Sequence, residues 1–189
     1  MSKAFYRKYR SKKLSEVVGQ QHITTVLESA LKKKKIAHAY LFTGPRGVGK
    51  TSVARILAHE INKIPYTDES YHPDIIEIDA ASNNGVDDIR YLRDQVQTAP
   101  FSAKKRIYII DEVHMLSKQA FNALLKTLEE PPEHVVFILA TTDPHKLPPT
   151  IISRTQQFVF HYISQDDICK QLRFIADSEK ISISDDAIK

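Results

Sequence analysis

The sequence predicts an α/β fold: a five-stranded parallel sheet flanked by helices on both faces. Three observations predict it. Short apolar runs alternate with segments of helical periodicity along most of the chain. The central runs are apolar throughout, without the every-second-residue alternation of a half-exposed strand, as strands covered on both faces require. Finally, Gly44-Pro45-Arg46-Gly47-Val48-Gly49-Lys50-Thr51 matches the phosphate-loop pattern G-x-x-x-x-G-K-[ST] without a mismatch. It lies between an apolar run and a helical segment, and three of the chain's five glycines fall within it.

The elements follow in order. Ile23, Val26, Leu27, Ala30 and Leu31 repeat at helical spacing and precede a lysine run, 32–35, that suits a helix C-terminus. Residues 39–43 form the first strand, and Val53, Ile56, Leu57 and Ile61 mark the helix after the phosphate loop. Residues 62–73 are polar and predict a surface loop, followed by a second strand at Ile75, Ile76 and Ile78. Ser82-Asn83-Asn84-Gly85 has turn chemistry, and 86–96 predicts a helix with Asp87 and Asp88 in its first turn. Arg106-Ile107-Tyr108-Ile109-Ile110 is the third strand. Ser117 is placed to cap a helix carrying Ala120, Phe121, Leu124, Leu125 and Leu128, stopped by Pro131-Pro132. Residues 135–140 and 157–160 complete the five strands. From Ser164 only helix is predicted, with Ile168, Leu172, Ile175 and Ala176 on one face, and Ser184-Asp185-Asp186 announces another helix just before Lys189. The expected organisation is a nucleotide-binding domain over 1–162 and the beginning of a second, helical domain over 163–189.

Composition narrows the class. Hydrophobic content of 42% and charged content of 26% fit a globular protein with a sizeable core. No apolar stretch approaches the roughly 20 residues of a membrane span, and the first ten residues lack the apolar segment of a secretory signal. Cys169 is the only cysteine, which excludes an internal disulfide and suits a reducing cytoplasm. The net charge of +4 is concentrated near the N-terminus and at 32–35. Such clusters serve either as solvated faces or as polyanion contacts.

The chemistry starts at the loop. A strand, a glycine loop and a helix N-terminus aim successive backbone N–H groups at a polyphosphate. In such a site Lys50 reaches the β- and γ-phosphates and the Thr51 hydroxyl ligates Mg²⁺. Residues 107–112 add an apolar strand that delivers two acids at its C-terminal end, where ligands of open α/β sheets bind. Asp111 is expected in the Mg²⁺ shell and Glu112 beside the attacking water. Thr141-Thr142-Asp143 ends the fourth strand: a hydroxyl there serves either the γ-phosphate or water, or simply a turn. Arg154 is either a surface ion-pair former or a finger reaching a phosphate on another subunit.

The residues also resemble a known family. Val17-Val18-Gly19-Gln20, the phosphate loop and His72-Pro73-Asp74 look like the gamma/tau ATPase subunit of the bacterial DNA polymerase III clamp loader. So do the strings from Glu77 to Arg90 and from Asp111 through Leu124-Leu125-Lys126-Thr127-Leu128-Glu129-Glu130-Pro131-Pro132 to Pro144, and the likeness covers nearly the whole chain. The resemblance implies an AAA+ P-loop NTPase followed by a small helical lid domain. It implies ATP and Mg²⁺ as cofactors, and ATP-driven loading of the sliding clamp onto primed DNA within a DNA-directed DNA polymerase complex. By family role the octapeptide and Ser52 bind phosphate, Lys50, Asp111 and Glu112 are catalytic, and Thr51 and Asp111 hold Mg²⁺. Thr142 matches the first sensor and Arg154 the arginine finger acting on the adjacent subunit, while Tyr9, Arg10, Val17 and Val18 line the adenine pocket. Other loader subunits, the sliding clamp and primed DNA are the implied partners. The second sensor and the oligomerising collar are expected after Lys189, leaving this chain monomeric.

Three departures accompany the likeness. The family's four-cysteine zinc module is missing from 62–71, and His59 and His72 do not replace it, so no zinc site is expected. Ser-Arg-Cys reads Ser153-Arg154-Thr155, and Tyr-Arg-Pro reads Tyr9-Arg10-Ser11. A scaffold subunit without hydrolysis and another AAA+ motor, such as a branch-migration helicase or replication initiator, are the competing readings. The intact Lys50-Thr51 and Asp111-Glu112 oppose the first, and the family-specific strings oppose the second. A DNA contact is also expected near the helix starting at Asn84, with Arg90, Lys104 or Lys105 nearby; ordinary capping and solvated charge is the alternative.

Overall fold

A computed structural model describes residues 4–67, 71–83 and 85–188. Five parallel strands form one sheet in the order β2-β3-β4-β1-β5: β1 (Ala39–Thr43), β2 (Ile75–Asp79), β3 (Arg106–Asp111), β4 (Val135–Thr141) and β5 (Gln156–Val159). Eight α-helices accompany them among the described residues: α1 (Phe5–Lys8), α2 (Gln21–Lys32), α3 (Lys50–Asn62), α4 (Val86–Val96), α5 (Lys118–Glu129), α6 (Pro149–Ile152), α7 (Gln165–Glu179) and α8 (Asp185–Ile188).

The apolar runs acquire their meaning from the pleat, because successive side chains leave a strand on opposite faces. Tyr40, Phe42, Ile107, Ile109, Val136, Ile138 and Phe158 join Leu27 of α2 and Val53, Ile56 and Leu57 of α3 in one core. Their strand neighbours Leu41, Tyr108, Ile110, Phe137 and Leu139 join Ile89 and Leu92 of α4 and Leu124 and Leu128 of α5 in another. Two cores therefore use alternate residues of the same strands, and an uninterrupted apolar run results. Burying such a side chain is worth about 1.5–3 kcal/mol. The edge strand β2 is only half-covered. It is tied down by Arg55, whose Nε and Nη2 donate to the two carboxylate oxygens of Glu77 at 2.7 and 2.5 Å.

Several local expectations shift. β5 starts and ends one residue earlier than the 157–160 run, since Gln156 already pairs with Tyr40. Ser117 caps α5, its Oγ accepting from the Ala120 N–H at 3.2 Å. Val26 is 46% exposed despite its place in the apolar repeat of α2, because the buried stripe runs through Ile23 and Leu27. Asn62 belongs to α3 rather than to a surface loop; it is buried and exchanges two 2.9 Å hydrogen bonds with the Lys105 backbone. On α7 only Ala176 of the expected apolar face is buried. Ile168 and Leu172 stay exposed, because α7 is met among the described residues mainly by α8 and the N-terminal segment. No helix among the described residues is long and apolar enough to cross a membrane.

Candidate nucleotide site

The C-terminal ends of β1, β3 and β4 gather the loop and acids predicted far apart in sequence. β1 ends at Thr43 and the chain turns at Gly44, where φ is +139° and an added Cβ would sit 2.4 Å from the Phe160 carbonyl. Gly47 and Gly49 adopt φ of +82° and +100°, and no atom lies within 4 Å of where their Cβ would be. These left-handed turns leave an open, side-chain-free cradle at the first turn of α3. Val48 turns inward into the α2–α3 core, Arg46 is exposed, and Pro45 and Ser52 are half-buried.

Lys50 is 6% exposed, and its Nζ donates to the Gly44 and Pro45 carbonyls at 2.8 and 2.6 Å. Burial pulls its pKa below the ordinary lysine value, and the carboxylates of Glu112 and Asp111 oppose that pull. A buried ammonium held by neutral carbonyls is under-compensated, and an anionic ligand offers the missing partner. Thr51 Oγ1 donates to Asp111 Oδ2 at 2.6 Å, so a hydroxyl from the first turn of α3 and a carboxylate from the end of β3 share one corner. Magnesium prefers oxygen donors of this kind. The cradle, the buried ammonium and the oxygen pair all fit a magnesium nucleotide.

Glu112 follows Asp111 in an unusual backbone state, with φ 47° and ψ 44°. Asp111 Oδ1 accepts the Glu112 N–H at 2.9 Å and the Glu112 carbonyl accepts the Met115 N–H at 2.8 Å, which together hold the turn. Left-handed geometry in a non-glycine residue costs of order 1–3 kcal/mol and collects at functional sites. The Glu112 carboxylate meets Thr142 across the strands: the Thr142 N–H and Oγ1 donate to Oε2 at 3.2 and 2.9 Å. Thus Lys50, Thr51, Asp111, Glu112 and Thr142 converge at one sheet edge.

Arg154 stands elsewhere. It precedes β5, whose first residue pairs with the N-terminal half of β1, and it borders a cleft lined by Ala37, His38 and Ala39. Four strand residues, 40–43, separate that level from the loop, roughly 13 Å at about 3.3 Å per residue. Its Nη2 is 2.8 Å from Glu129 Oε1, and its Nη1 donates to the Thr150 carbonyl at 2.9 Å. The own phosphate loop is out of reach.

The N-terminal residues divide. Val17 is buried in the same core as Val48 and Phe160, and Val18 is half-buried. Tyr9 turns to α7: its Oη donates to Glu179 Oε1 at 2.5 Å, and its ring meets Phe174 edge-on at 6.2 Å. Arg10 follows it, half-buried. Gln20, fully buried, donates to the His161 carbonyl and accepts its N–H, tying this segment to the strand end. Asn84 lies outside the described residues. Lys104 and Lys105 precede β3 at the far sheet edge, away from Arg90. Instead α4 and α5 set Arg93 and Lys126 around one cleft with Arg90. Sequence adjacency could not reveal that grouping. It also passed over His114, whose only signal was its position two residues after Glu112.

Fold and site together define an AAA+ nucleotide-binding domain. A family model described as DNA polymerase III, delta subunit, matches residues 19–164, and the chain belongs to that family of DNA polymerase III subunits. Among its relatives, DNA polymerase III subunit tau of Bacillus subtilis is 52% identical over 98% of this chain and 36% of its own length. The tau subunit of Escherichia coli is 49% identical over 93% of this chain and 30% of its own. The chain thus spans about a third of the length of these curated relatives. Among solved structures, a DNA polymerase III gamma subunit-related protein of Thermotoga maritima aligns with a TM-score of 0.64 and 31% identity, over 77% of this chain and 49% of that one. RuvB of the same organism aligns at TM-score 0.74 over 95% of this chain and 58% of that one, but at 23% identity it shares the fold alone.

Proposed function

We propose that this chain is the ATPase part of a bacterial clamp-loader subunit, using ATP binding and hydrolysis to load the sliding clamp onto primed DNA for DNA polymerase III. The observation that carries the reading is the convergence of Thr51 with Asp111 and of Glu112 with Thr142 beside the Gly44–Lys50 cradle. Backbone N–H groups of 44–51 and the Lys50 ammonium bind the phosphates, with Ser52 in the same first turn. Thr51 and Asp111 hold Mg²⁺, which when bound neutralises phosphate charge. Glu112 accepts from the attacking water, and Thr142 orients Glu112. Arg154 serves the nucleotide of an adjacent subunit. Tyr9, Arg10, Val17 and Val18 border the adenine, with Tyr9 linking that wall to α7. Residues 1–162 form the nucleotide-binding domain and 163–189 the start of its lid.

The subunit contributes ATP hydrolysis to a cytoplasmic polymerase complex, whose nucleotidyl-transfer activity belongs to other chains. It joins further loader subunits in a hetero-oligomer, and residues 1–189 alone are a weakly active monomer. Primed DNA meets the cleft where Arg90, Arg93 and Lys126 gather; point charges of this kind contact phosphates without reading sequence. The deciding experiment measures MgATP affinity and turnover in the complete assembly. Affinity with clamp-dependent turnover is expected. Absence of both overturns the ATPase reading, and turnover without clamp binding or loading points to another AAA+ motor.

A further inference from the structure

His114 sits in the short 3-10 turn Val113–Met115 directly after Glu112, and its side chain is 9% exposed. Nδ1 lies 2.9 Å from Thr141 Oγ1 and 3.3 Å from Glu112 Oε2. Thr141 is fully buried, and its hydroxyl already accepts the Asp143 N–H at 3.0 Å. An ionised carboxylate offers only lone pairs. A bare Nδ1 facing Oε2 would set lone pair against lone pair, whereas an Nδ1–H is attracted to both oxygens. The neighbours therefore select the Nδ1–H tautomer.

Oε2 also receives the backbone N–H and the hydroxyl of Thr142. Two hydrogen bonds and the 3.3 Å approach of Nδ1 thus meet at a single oxygen of Glu112, and no hydrogen bond to Oε1 is present among the described residues. The terminal torsion of a glutamate is otherwise broad and nearly two-fold. Donors gathered on one oxygen remove that freedom, and the left-handed backbone at Glu112 aims the stem from which the carboxylate swings.

We propose that His114 is a positioning residue for Glu112: from Nδ1, braced on Thr141, it steers Oε2 together with Thr142 and so leaves Oε1 to polarise water. This rests on the reading of Glu112 as the base. An asparagine at 114 places an N–H where Nδ1 sits, whereas glutamine reaches toward the Nε2 position. In the full-length subunit within its assembly, His114→Ala should lower kcat about 10- to 100-fold with ATP affinity unchanged. His114→Asn should restore most of it, and His114→Gln little. Independently of turnover, ¹⁵N NMR of the nucleotide-free chain should report the Nδ1–H tautomer. Asparagine performing no better than alanine, or an Nε2–H tautomer, overturns the proposal even where Glu112→Gln shows its own defect. Turnover unaffected by Glu112→Gln would remove the base reading, and this proposal with it.

Discussion

The two edges of the sheet hold charge in opposite ways. At the C-terminal edge, Lys50 is buried among carbonyls, Asp111 is bonded to Thr51, and Glu112 sits on a strained backbone with its carboxylate held. At the N-terminal edge, Arg154 and Glu129 form an ion pair whose side chains are 34% and 47% exposed. An exposed pair contributes only about 0–1 kcal/mol, so it can open whenever a better anion is presented. The difference underlies the proposed division of labour, in which one edge is preorganised for a ligand of its own and the other keeps a cation available for a neighbour. On that proposal each edge would carry half of a catalytic apparatus, and the two halves of one chain cannot meet.

The sharpest way to break this comparison is Arg154→Ala. In an assembly it should suppress turnover by about 10³- to 10⁵-fold, or about 4–7 kcal/mol of barrier, while the mutated subunit keeps its own nucleotide affinity. Mixed assemblies with binding measured subunit by subunit check this; affinity lost in the mutant itself would place Arg154 at its own site. Next in size, Glu112→Gln should reduce turnover about 10²- to 10⁴-fold with ATP still bound, read by single-turnover kinetics against equilibrium binding. Preserved turnover would remove Glu112 from the role of base.

A smaller effect tests whether the N-terminal edge also contains rigid charge. Asp74, 1% exposed, accepts the N–H groups of Phe101, Ser102 and Ala103 at 2.6, 2.9 and 2.9 Å. Burial opposes its ionisation, but those three donors, helped by His72, outweigh it and hold the carboxyl below the ordinary aspartate value. A depressed folded pKa means stability that is present above the ordinary aspartate value and lost as pH falls from there through the lower, folded value. Asp74→Asn should cost roughly 3 kcal/mol near neutrality, seen in denaturant unfolding, and should flatten the acid limb of stability against pH. An unchanged acid limb would assign that loss to other carboxylates.

Much of this protein was legible because the signals were local. The phosphate loop specifies its own backbone through Gly47 and Gly49, and Ser117 announces α5 through a bond three residues long. The Asp111-Glu112 pair could be read from strand-end chemistry. What escaped involved partners distant in sequence. Asn62 looks like loop until Lys105 bonds it from 43 residues away. Lys104 and Lys105 seemed neighbours of Arg90, but they border a cleft with Leu31, Lys32 and Ile64, whereas Arg90 shares another with Arg93 and Lys126. The apolar face of α7 obeyed its periodicity and still stayed uncovered at Ile168 and Leu172, because periodicity records which side is apolar and not what packs there.

By itself the sequence determined the strands, the helices, the cradle and the acidic pair at the end of β3, since each depends on residues within a few positions of one another. Only the tertiary structure decided their company. It joined Thr51 to Asp111, gathered Thr142 and His114 around Glu112 Oε2, and set Arg154 beyond the reach of its own phosphate loop. The physical reason is the strand order: β1 is inserted between β4 and β5, so residues far apart in the chain share an edge, while a five-residue strand separates the two edges.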